Sequence, residues 1–529
     1  MNVIHNPILK GFFPDPSIIR VGEDYYIANS TFEWFPGVVL HHSKDLKNWR
    51  LIGHALTETS QLNLLGERPS CGVWAPCLSH DNNTFFLVYT DVKNRKGVWK
   101  ETHNYLVTAK NILGPWSSKP IYLNSTGFDP SLFHDDDGRK WLLNMMWRYE
   151  KNKHSFGGIL LQQYCTETQK LIGPVYNILE RSDEGMIATE GAHLYKRNGY
   201  YYLMVAEGGT MYQHCERLFR AKHITGPYEA HPQNPIITAR DDEMLAIQKA
   251  GHADLVETQN GEWYMVHLGA RPLMPEKRCP LGRETSIQKV VWKKDDWLYM
   301  ENGTNKPDEI VPAPQLPSVE WEMENARDDF DDKILSPHFQ TSRIPFNAEI
   351  GSLTARQGHL RLYGRESLLS PFVQALIARR WQHFKFEASA CVEFEPTHCQ
   401  QMAGLVCVYD IENFYYLNIT NIEGVGKCLN ITTCNNMHFD QPLDMPILLD
   451  EGQKCFLKVN VHNRKLQFYY SFDEKEWFEI GPVLDASKLS DEYCENGNFT
   501  GAFVGICAQD LSGTRKYADF DYFEYRSLE

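Results

Sequence analysis

Five segments of this chain repeat one shape at a nearly constant interval. Each opens on a small or polar residue, runs through a short apolar strand, turns on polar residues and returns through an aromatic-rich strand. They are DPSIIRVGEDYYIANS from Asp15, WAPCLSHDNNTFFLVYTD from Trp74, DPSLFHDDDGRKWLLNMM from Asp129, EGAHLYKRNGYYYLMVAEGG from Glu190 and HADLVETQNGEWYMVHLG from His252. The openings lie 59, 55, 61 and 62 residues apart. The central Gly-Glu-Asp, Asp-Asn-Asn, Asp-Asp-Gly and Asn-Gly clusters are hairpin turn signals. Between them recurs a second element, HHSKDLKNW, TAKNILGPW and RAKHITGPY, with a weaker TQKLIGP, whose endings read as turns closing an outer strand. Helical periodicity is almost absent. Five mostly β repeats predict a five-bladed β-propeller, in which four-stranded sheets stand around a central channel. A β-solenoid would have shorter repeats without such regular hairpins.

The repeats end well short of the 529 residues of the chain, and single cores stop growing near ~250–300 residues. The proline-rich stretch KPDEIVPAPQLP (residues 306–317) cannot sit in a central strand and reads as a linker. Beyond it, HLRLYGR, FKFEASACVEF, FYYLNIT, CFLKVNVH and KLQFYYSF alternate with period two, as in a β-sandwich. The expected domains are a propeller over 1–305, the linker over 306–317 and a sandwich over 318–529.

Charge and cysteines narrow the function classes. With 68 Asp plus Glu against 53 Lys plus Arg, the net charge of −15 argues against nucleic acid or an anionic membrane as partner. No window approaches the ~18–20 apolar residues of a membrane span, and the first residues lack the pattern of a secretory signal. The 13 scattered cysteines contain no C-x-x-C pair, which fits reduced thiols in the cytoplasm. The 27 Phe, 26 Tyr and 13 Trp suit both strand packing and stacking on sugar rings.

In a propeller the innermost strand of each blade lines the axis, so the repeat openings should converge. By this register Asp15, Trp74, Asp129, Glu190 and His252 share one end of the channel. Converging carboxylates repel, so at least one stays protonated at neutral pH. That is what glycoside hydrolysis needs: one acid for the leaving oxygen and one carboxylate for water or for the anomeric carbon. For each residue alone a turn, cap or channel-wall role is the plain alternative. His41 and His42 lack metal-ligand spacing and read as structural. Asp135, Asp136 and Asp137 read as a solvated turn, and Gly208-Gly209 as another turn. Phosphate loops and the G-x-S-x-G elbow are absent.

FFPDPSIIRVGEDYYIANSTFEWFPGV, GVWAPCLS, GFDPSLFHDDDG, TEGAHLY and CPLGRET resemble glycoside hydrolase family 43, above all its intracellular β-xylosidases, many of which also have α-L-arabinofuranosidase activity. The likeness extends through RDDFDD and DFDYFEYR into the second domain, a jelly-roll or concanavalin-like sandwich in that family. The resemblance implies an exo-acting, inverting enzyme that removes terminal non-reducing β-D-xylose from short 1,4-β-xylooligosaccharides. It implies Asp15 as general base, Glu190 as general acid and Asp129 as the carboxylate that orients the acid and tunes its pKa. Inversion would set the first two about 6.5–9.5 Å apart. Arg283 would bind the terminal sugar, its plainer role being partner to Asp129 or another channel carboxylate. Phe32 and Trp74 would form pocket walls, and Phe499, in ENGNFTG, would reach over from the sandwich. His252 matches an axial histidine near which relatives carry a divalent cation, often calcium; the reaction itself requires no cofactor. A homo-oligomer, dimer or tetramer, is expected. Residues 274–278 (MPEKR) are shorter than in close relatives, which touches aglycone-side and subunit contacts. Two other readings stand beside this one: mainly an α-L-arabinofuranosidase, and a non-catalytic carbohydrate-binding propeller.

Overall fold

The computed structural model describes residues 2–180 and 188–529. Five four-stranded antiparallel blades follow one another along the chain. The first is Ser17–Val21, Asp24–Asn29, Gly37–Ser43 and Arg50–Leu56; the second Gly72–Asp81, Thr84–Asn94, Glu101–Ala109 and Ile121–Tyr122. The third is Phe128–His134, Lys140–Trp147, Phe156–Cys165 and Lys170–Leu179. The fourth runs Glu190–Arg197, Tyr200–Glu207, Cys215–Ala221 and Glu229–Ala230, with Ile237–Thr238 also on its third strand. The fifth is Gln248–Glu257, Trp263–Ala270, Glu284–Trp292 and Leu298–Met300.

The turn chemistry explains why each repeat folds back on itself. Asn82 and Asn83 have φ +47° and +55°, and Asn198 and Gly199 have +49° and +74°, the left-handed pairs that two-residue hairpins need. Between blades the strands bury apolar faces. Val88, Leu106, Leu132, Leu142 and Tyr164 join the second blade to the third, and Met204, Leu218, Leu255 and Met265 join the fourth to the fifth. The second repeated element is the turn from a blade's third strand into its outer strand, as at Lys44–Trp49 and Lys222–Tyr228. Asp135 is more than a solvated turn residue: it is buried and accepts from Lys196 Nζ (2.6 Å) and Tyr201 OH (2.8 Å) of the next blade.

The stretch 306–317 is not a free tether. Its Ile310–Pro312 forms a two-stranded ribbon with Val3–His5, pairing Val3 with Pro312 and His5 with Ile310. Asn6 Nδ2 donates to the Ile287 and Asp308 carbonyls, both at 2.8 Å. The ring is therefore sealed beside the fifth blade, and its prolines sit where only edge pairing is required.

The second domain is a sandwich of two antiparallel sheets. One sheet orders Gly351–Ser352, Leu360–Tyr363, Tyr517–Ser527, Lys385–Glu393, Cys455–His462, Lys465–Ser471 and Phe478–Asp485. The other orders His438–Asp440, Gly426–Asn435, Asn413–Ile422, Gln401–Asp410, Phe503–Asp510, Ala375–Arg380 and Gln340–Ser342. This second sheet continues into the propeller, because Trp34–Phe35 pairs with Gln340–Ser342. One apolar cluster crosses the same junction. It gathers Phe12, Phe32, Trp34 and Trp74 with Val406, Tyr416 and Phe503, and Trp34 stacks on Phe503 at 3.8 Å. The 13 cysteines are all unpaired. No helix among the described residues is long and apolar enough to cross a membrane.

Candidate active site

The innermost strands bring the repeat openings together, but not in one register. Blades two to five each carry an irregularity at this point, between Trp74 and Cys77, Phe128 and Ser131, Glu190 and His193, and around Gly251–Ala253. Such a bulge inserts a residue and re-aims the side chains beside it. Asp129 and His252 occupy the bulge position itself, with φ +53° and +51°, and Asp15, two residues ahead of the regularly paired Ser17–Val21, shares that conformation at φ +51°. In the fourth blade that position belongs to Gly191 (φ +59°), so Glu190 stands one residue earlier, as does Trp74 before Ala75. The equivalence of all five openings is thus corrected by one residue for Glu190 and Trp74. The pattern Asp-Pro, Ala-Pro, Asp-Pro, Gly-Ala, His-Ala marks the true register in the sequence. A glycine is required at 191, because a Cβ there would lie 2.9 Å from His252 Cε1.

The residue below the bulge by two ties neighbouring blades. Asp254 Oδ2 accepts from Ser17 Oγ (3.0 Å) and the Ile18 amide (2.8 Å), and its Oδ1 accepts from Tyr195 OH (2.6 Å). Glu216 accepts from the Ala253 amide at 3.0 Å. These bonds fix the strands that present the site.

Asp15 is buried, and its two oxygens have different partners. Arg283 Nη1 donates to Oδ1 at 2.6 Å and Ser30 Oγ to Oδ2 at 2.6 Å, while His252 Nδ1 stands 3.9 Å from Oδ1. Burial pushes its pKa up, but Arg283, His252 and Ser30 together outweigh that and hold it below the usual carboxylate value. Glu190 behaves oppositely. Burial and the negative charge of Asp15 push it up to about 7, against the pull of Lys100 and Arg283. Asp129 is buried, its carboxyl accepts from the Gly191 amide at 3.2 Å, and its own amide donates to Thr90 Oγ1 at 3.2 Å. Burial, then the charges of Glu190 and Asp15, push it well above the ordinary range. At neutral pH one carboxylate is ionised, and the Asp129–Glu190 pair retains a proton.

Arg283 is 1% exposed. Its Nη2 donates to the Phe499 carbonyl at 2.9 Å, and among the described residues its Nε has no acceptor. Its carboxylate partner is Asp15, not Asp129. The aromatic wall comes from both domains: Phe32 lies 6.3 Å from Trp74 and 6.0 Å from Phe499, and Trp74 meets Phe499 edge-on at 5.4 Å. Phe499 is held by Ser70, whose hydroxyl accepts from its amide at 3.2 Å and whose carbonyl accepts from Trp74 Nε1 at 3.0 Å.

Several site residues carried no repeat signal. Lys100 Nζ stands 4.4 Å from the Trp147 ring centre and acts on Glu190. Phe128 meets Trp74 at 5.3 Å, and Arg95 lies over Phe499 at 4.9 Å. His214, whose Nδ1 is bonded to the Lys249 carbonyl at 2.9 Å, acts on Asp15. Ser30, Ser70, Lys100 and His214 all come from loops flanking the strands, where single polar residues look ordinary. The short segment 274–278 faces the sandwich: Glu276 pairs with Arg464, and Arg278 donates to Ser487 Oγ at 3.2 Å.

His252 is pushed down to about 4 by burial, so it is a neutral donor set. Among the described residues no group of three or more His, Cys, Asp or Glu converges as a metal site, and both oxygens of nearby Asp254 are already bonded. Around His252 the described residues thus offer a single imidazole and no protein cage for a cation.

An ionised carboxylate facing a proton-retaining carboxyl pair inside an aromatic-walled propeller mouth defines an acid–base glycosidase site. The profile of "Glycosyl hydrolases family 43" matches residues 4–298, and that of "Beta xylosidase C-terminal Concanavalin A-like domain" matches 327–526. The chain belongs to glycosyl hydrolase family 43. It is 51% identical to a beta-xylosidase of Bacillus subtilis (strain 168), over 99% of both chains. It is 47% identical to xylosidase/arabinosidase 43B of Humicola insolens, over 100% of this chain and 98% of that one. The crystal structure of xylan beta-1,4-xylosidase from Bacillus halodurans C-125 superposes with a TM-score of 0.97 at 54% identity, over 99% of this chain and 100% of the other.

Proposed function

We propose that this chain is an exo-acting, inverting β-xylosidase that removes terminal non-reducing β-D-xylose from short 1,4-β-xylooligosaccharides, with α-L-arabinofuranosidase side activity. The observation that carries this reading is the opposite displacement of two carboxyl groups in one buried mouth: Asp15 held low, Glu190 raised to about 7. Asp15 takes a proton from water as that water attacks the anomeric carbon. Glu190 gives its proton to the glycosidic oxygen as the C–O bond breaks, and the new hydroxyl carries the inverted configuration. Asp129 accepts from the Gly191 amide, next to the acid in the following blade, and shares the retained proton of the pair with Glu190, while burial and the charge of Asp15 keep the acid protonated. Arg283, whose buried Nε has no acceptor among the described residues, would hydrogen-bond the terminal sugar through its guanidinium. Phe32, Trp74 and Phe499 supply the apolar wall, and because Phe499 comes from the sandwich it limits the mouth to a terminal sugar. In this reading the carboxyl groups carry the reaction and no metal is required.

Following the hydrolysis of xylobiose by NMR tests substrate and stereochemistry together. First-formed α-xylose supports the reading, and β-xylose overturns it. A preference for nitrophenyl arabinofuranoside over nitrophenyl xyloside would favour the reading as an α-L-arabinofuranosidase, which the 47% identical xylosidase/arabinosidase makes specific. We place this work in the cytoplasm, on the strength of 13 unpaired cysteines, and propose a dimer or tetramer, which light scattering would read.

A further inference from the structure

A cleft apart from the catalytic mouth encloses about 1100 Å³ between the N-terminal segment, the first blade, residues 320–339 and the sandwich strand Ala375–Arg380. The segment carrying the general base divides it from the mouth, since Phe12 packs on Phe32 while Phe13 lines the cleft. Met323 on its rim is 95% exposed, so the cleft communicates with solvent.

Its inner wall is cationic and incompletely satisfied. Arg380 is 3% exposed and, among the described residues, has no carboxylate partner. Its Nε donates to the Phe12 carbonyl at 2.7 Å, and its guanidinium lies 4.6 Å from the Phe13 ring centre, but Nη2 has no acceptor. Beside it, His41 meets the same Phe13 ring edge-on at 4.7 Å and leaves Nδ1 unpaired, and His54 leaves Nε2 unpaired. Seven acids also line the cleft: Glu324 pairs with Arg379 (2.6 Å) and His338 (3.3 Å), Asp329 pairs with Arg327 (2.8 Å), Asp328 is half-buried, and Glu320, Glu322, Asp331 and Asp332 are exposed to solvent rather than set against the buried Arg380. A buried guanidinium without a counter-charge is costly, because contacts with ring faces do not satisfy an in-plane N–H. Burial alone lowers Arg380 to about 9, which still leaves it charged at neutral pH. Trp49 and Trp321 on the same cleft add flat apolar surface suited to a small organic body.

We propose that this cleft is a second binding site, for a small molecule bearing an oxyanion group, a carboxylate or a phosphate, which Arg380 Nη2 and His41 Nδ1 receive. The site lies behind the general base. Arg380 holds the Phe12 carbonyl, the Phe13 amide donates to the Arg283 carbonyl at 3.0 Å, and Asn29 Nδ2 donates to the Pro14 carbonyl at 2.9 Å. Occupancy would therefore stiffen the segment that ends at Asp15.

The test uses the full chain. Thermal melting is followed against inorganic phosphate and, separately, D-glucuronate, with sodium chloride at matched ionic strength as control. A saturable rise in Tm is expected with at least one probe, lost in Arg380→Lys and reduced in His41→Gln. Phosphate alone would assign a phosphate-bearing ligand, glucuronate alone a sugar acid, and both a general oxyanion site. Arg380→Lys keeps a buried charge and could fold poorly, so a selenate-soaked crystal of the unaltered protein gives a second reading, with anomalous density expected within hydrogen-bond reach of Arg380 Nη2. No saturable shift with either probe, a shift unchanged in both variants, or selenate found only elsewhere would overturn the proposal.

Discussion

Asp15 and Glu190 carry the same functional group in the same mouth, and their neighbours set them to different tasks. Arg283 and Ser30 bond Asp15 directly, whereas the described structure gives Glu190 no such bond and only the more distant pull of Lys100 and Arg283. The pH profile of kcat/KM should then be a bell. Its acid limb lies below the ordinary carboxylate range, where Asp15 takes up a proton, and its alkaline limb lies near 7, where Glu190 loses one. A profile still rising through pH 8 would contradict the assignment of the acid. Removing the groups separates their roles further. Glu190→Gln should lower kcat on xylobiose by about 10²–10⁴-fold but spare much of the activity on a nitrophenyl xyloside, whose leaving group needs little protonation. Asp15→Asn should abolish both. The same shift has a stability sign. Below the ordinary value of 4.5, Glu190 is protonated folded or unfolded. As pH rises from there to about 7, the unfolded chain ionises first, so folding loses free energy and stays weakened above. Glu190→Gln removes that penalty. This variant should match the parent near pH 4 and exceed it near pH 8 by on the order of 1–3 kcal/mol in denaturant titrations.

At the scale of the element, the bulge at the head of the innermost strand in blades two to five decides what the repeat can present. Asp129 and His252 accept a left-handed backbone there, as Asp15 does just ahead of the first blade, at a cost on the order of 1–3 kcal/mol each that persists where the surroundings over-determine it. Gly191→Ala would add a Cβ 2.9 Å from the His252 ring at φ +59°. It should destabilise the protein by on the order of 1–3 kcal/mol and move His252 off Asp15, shifting the acid limb of the pH profile upward; a change in melting temperature with an unmoved acid limb would separate packing from electrostatics. The hairpin spacing made five blades readable in the sequence, and the three carboxylates could be picked from their repeat positions. Their register could not be read from spacing alone, because a bulge adds a residue without changing the hydrophobic alternation on either side. The same limit explains 306–317. Its prolines exclude a central strand, yet Ile310–Pro312 needs only one partner, and Val3–His5 supplies it. Phe499 was legible only through family likeness, since nothing local tells a loop residue that its carbonyl will meet Arg283.

For the whole molecule, the sandwich is part of the catalytic unit. Phe499 completes the aromatic wall, its carbonyl takes one Arg283 N–H, and Gln340–Ser342 extends a sandwich sheet onto Trp34–Phe35 of the first blade. Phe12 and Trp34 are 0% and 3% exposed, and both belong to the cluster that includes Phe503. Cutting after Pro317 would bare this apolar face, remove the acceptor from Arg283 and open the mouth. The isolated propeller should therefore be inactive on xylobiose and aggregate, by light scattering, at concentrations where the full chain does not. The continuous cluster further implies that neither domain gains by remaining folded alone. Scanning calorimetry of the full chain should show one cooperative transition rather than two. Two separated transitions, or a soluble propeller that still cleaves xylobiose, would show that the junction is mere contact and that the mouth is built by the propeller alone.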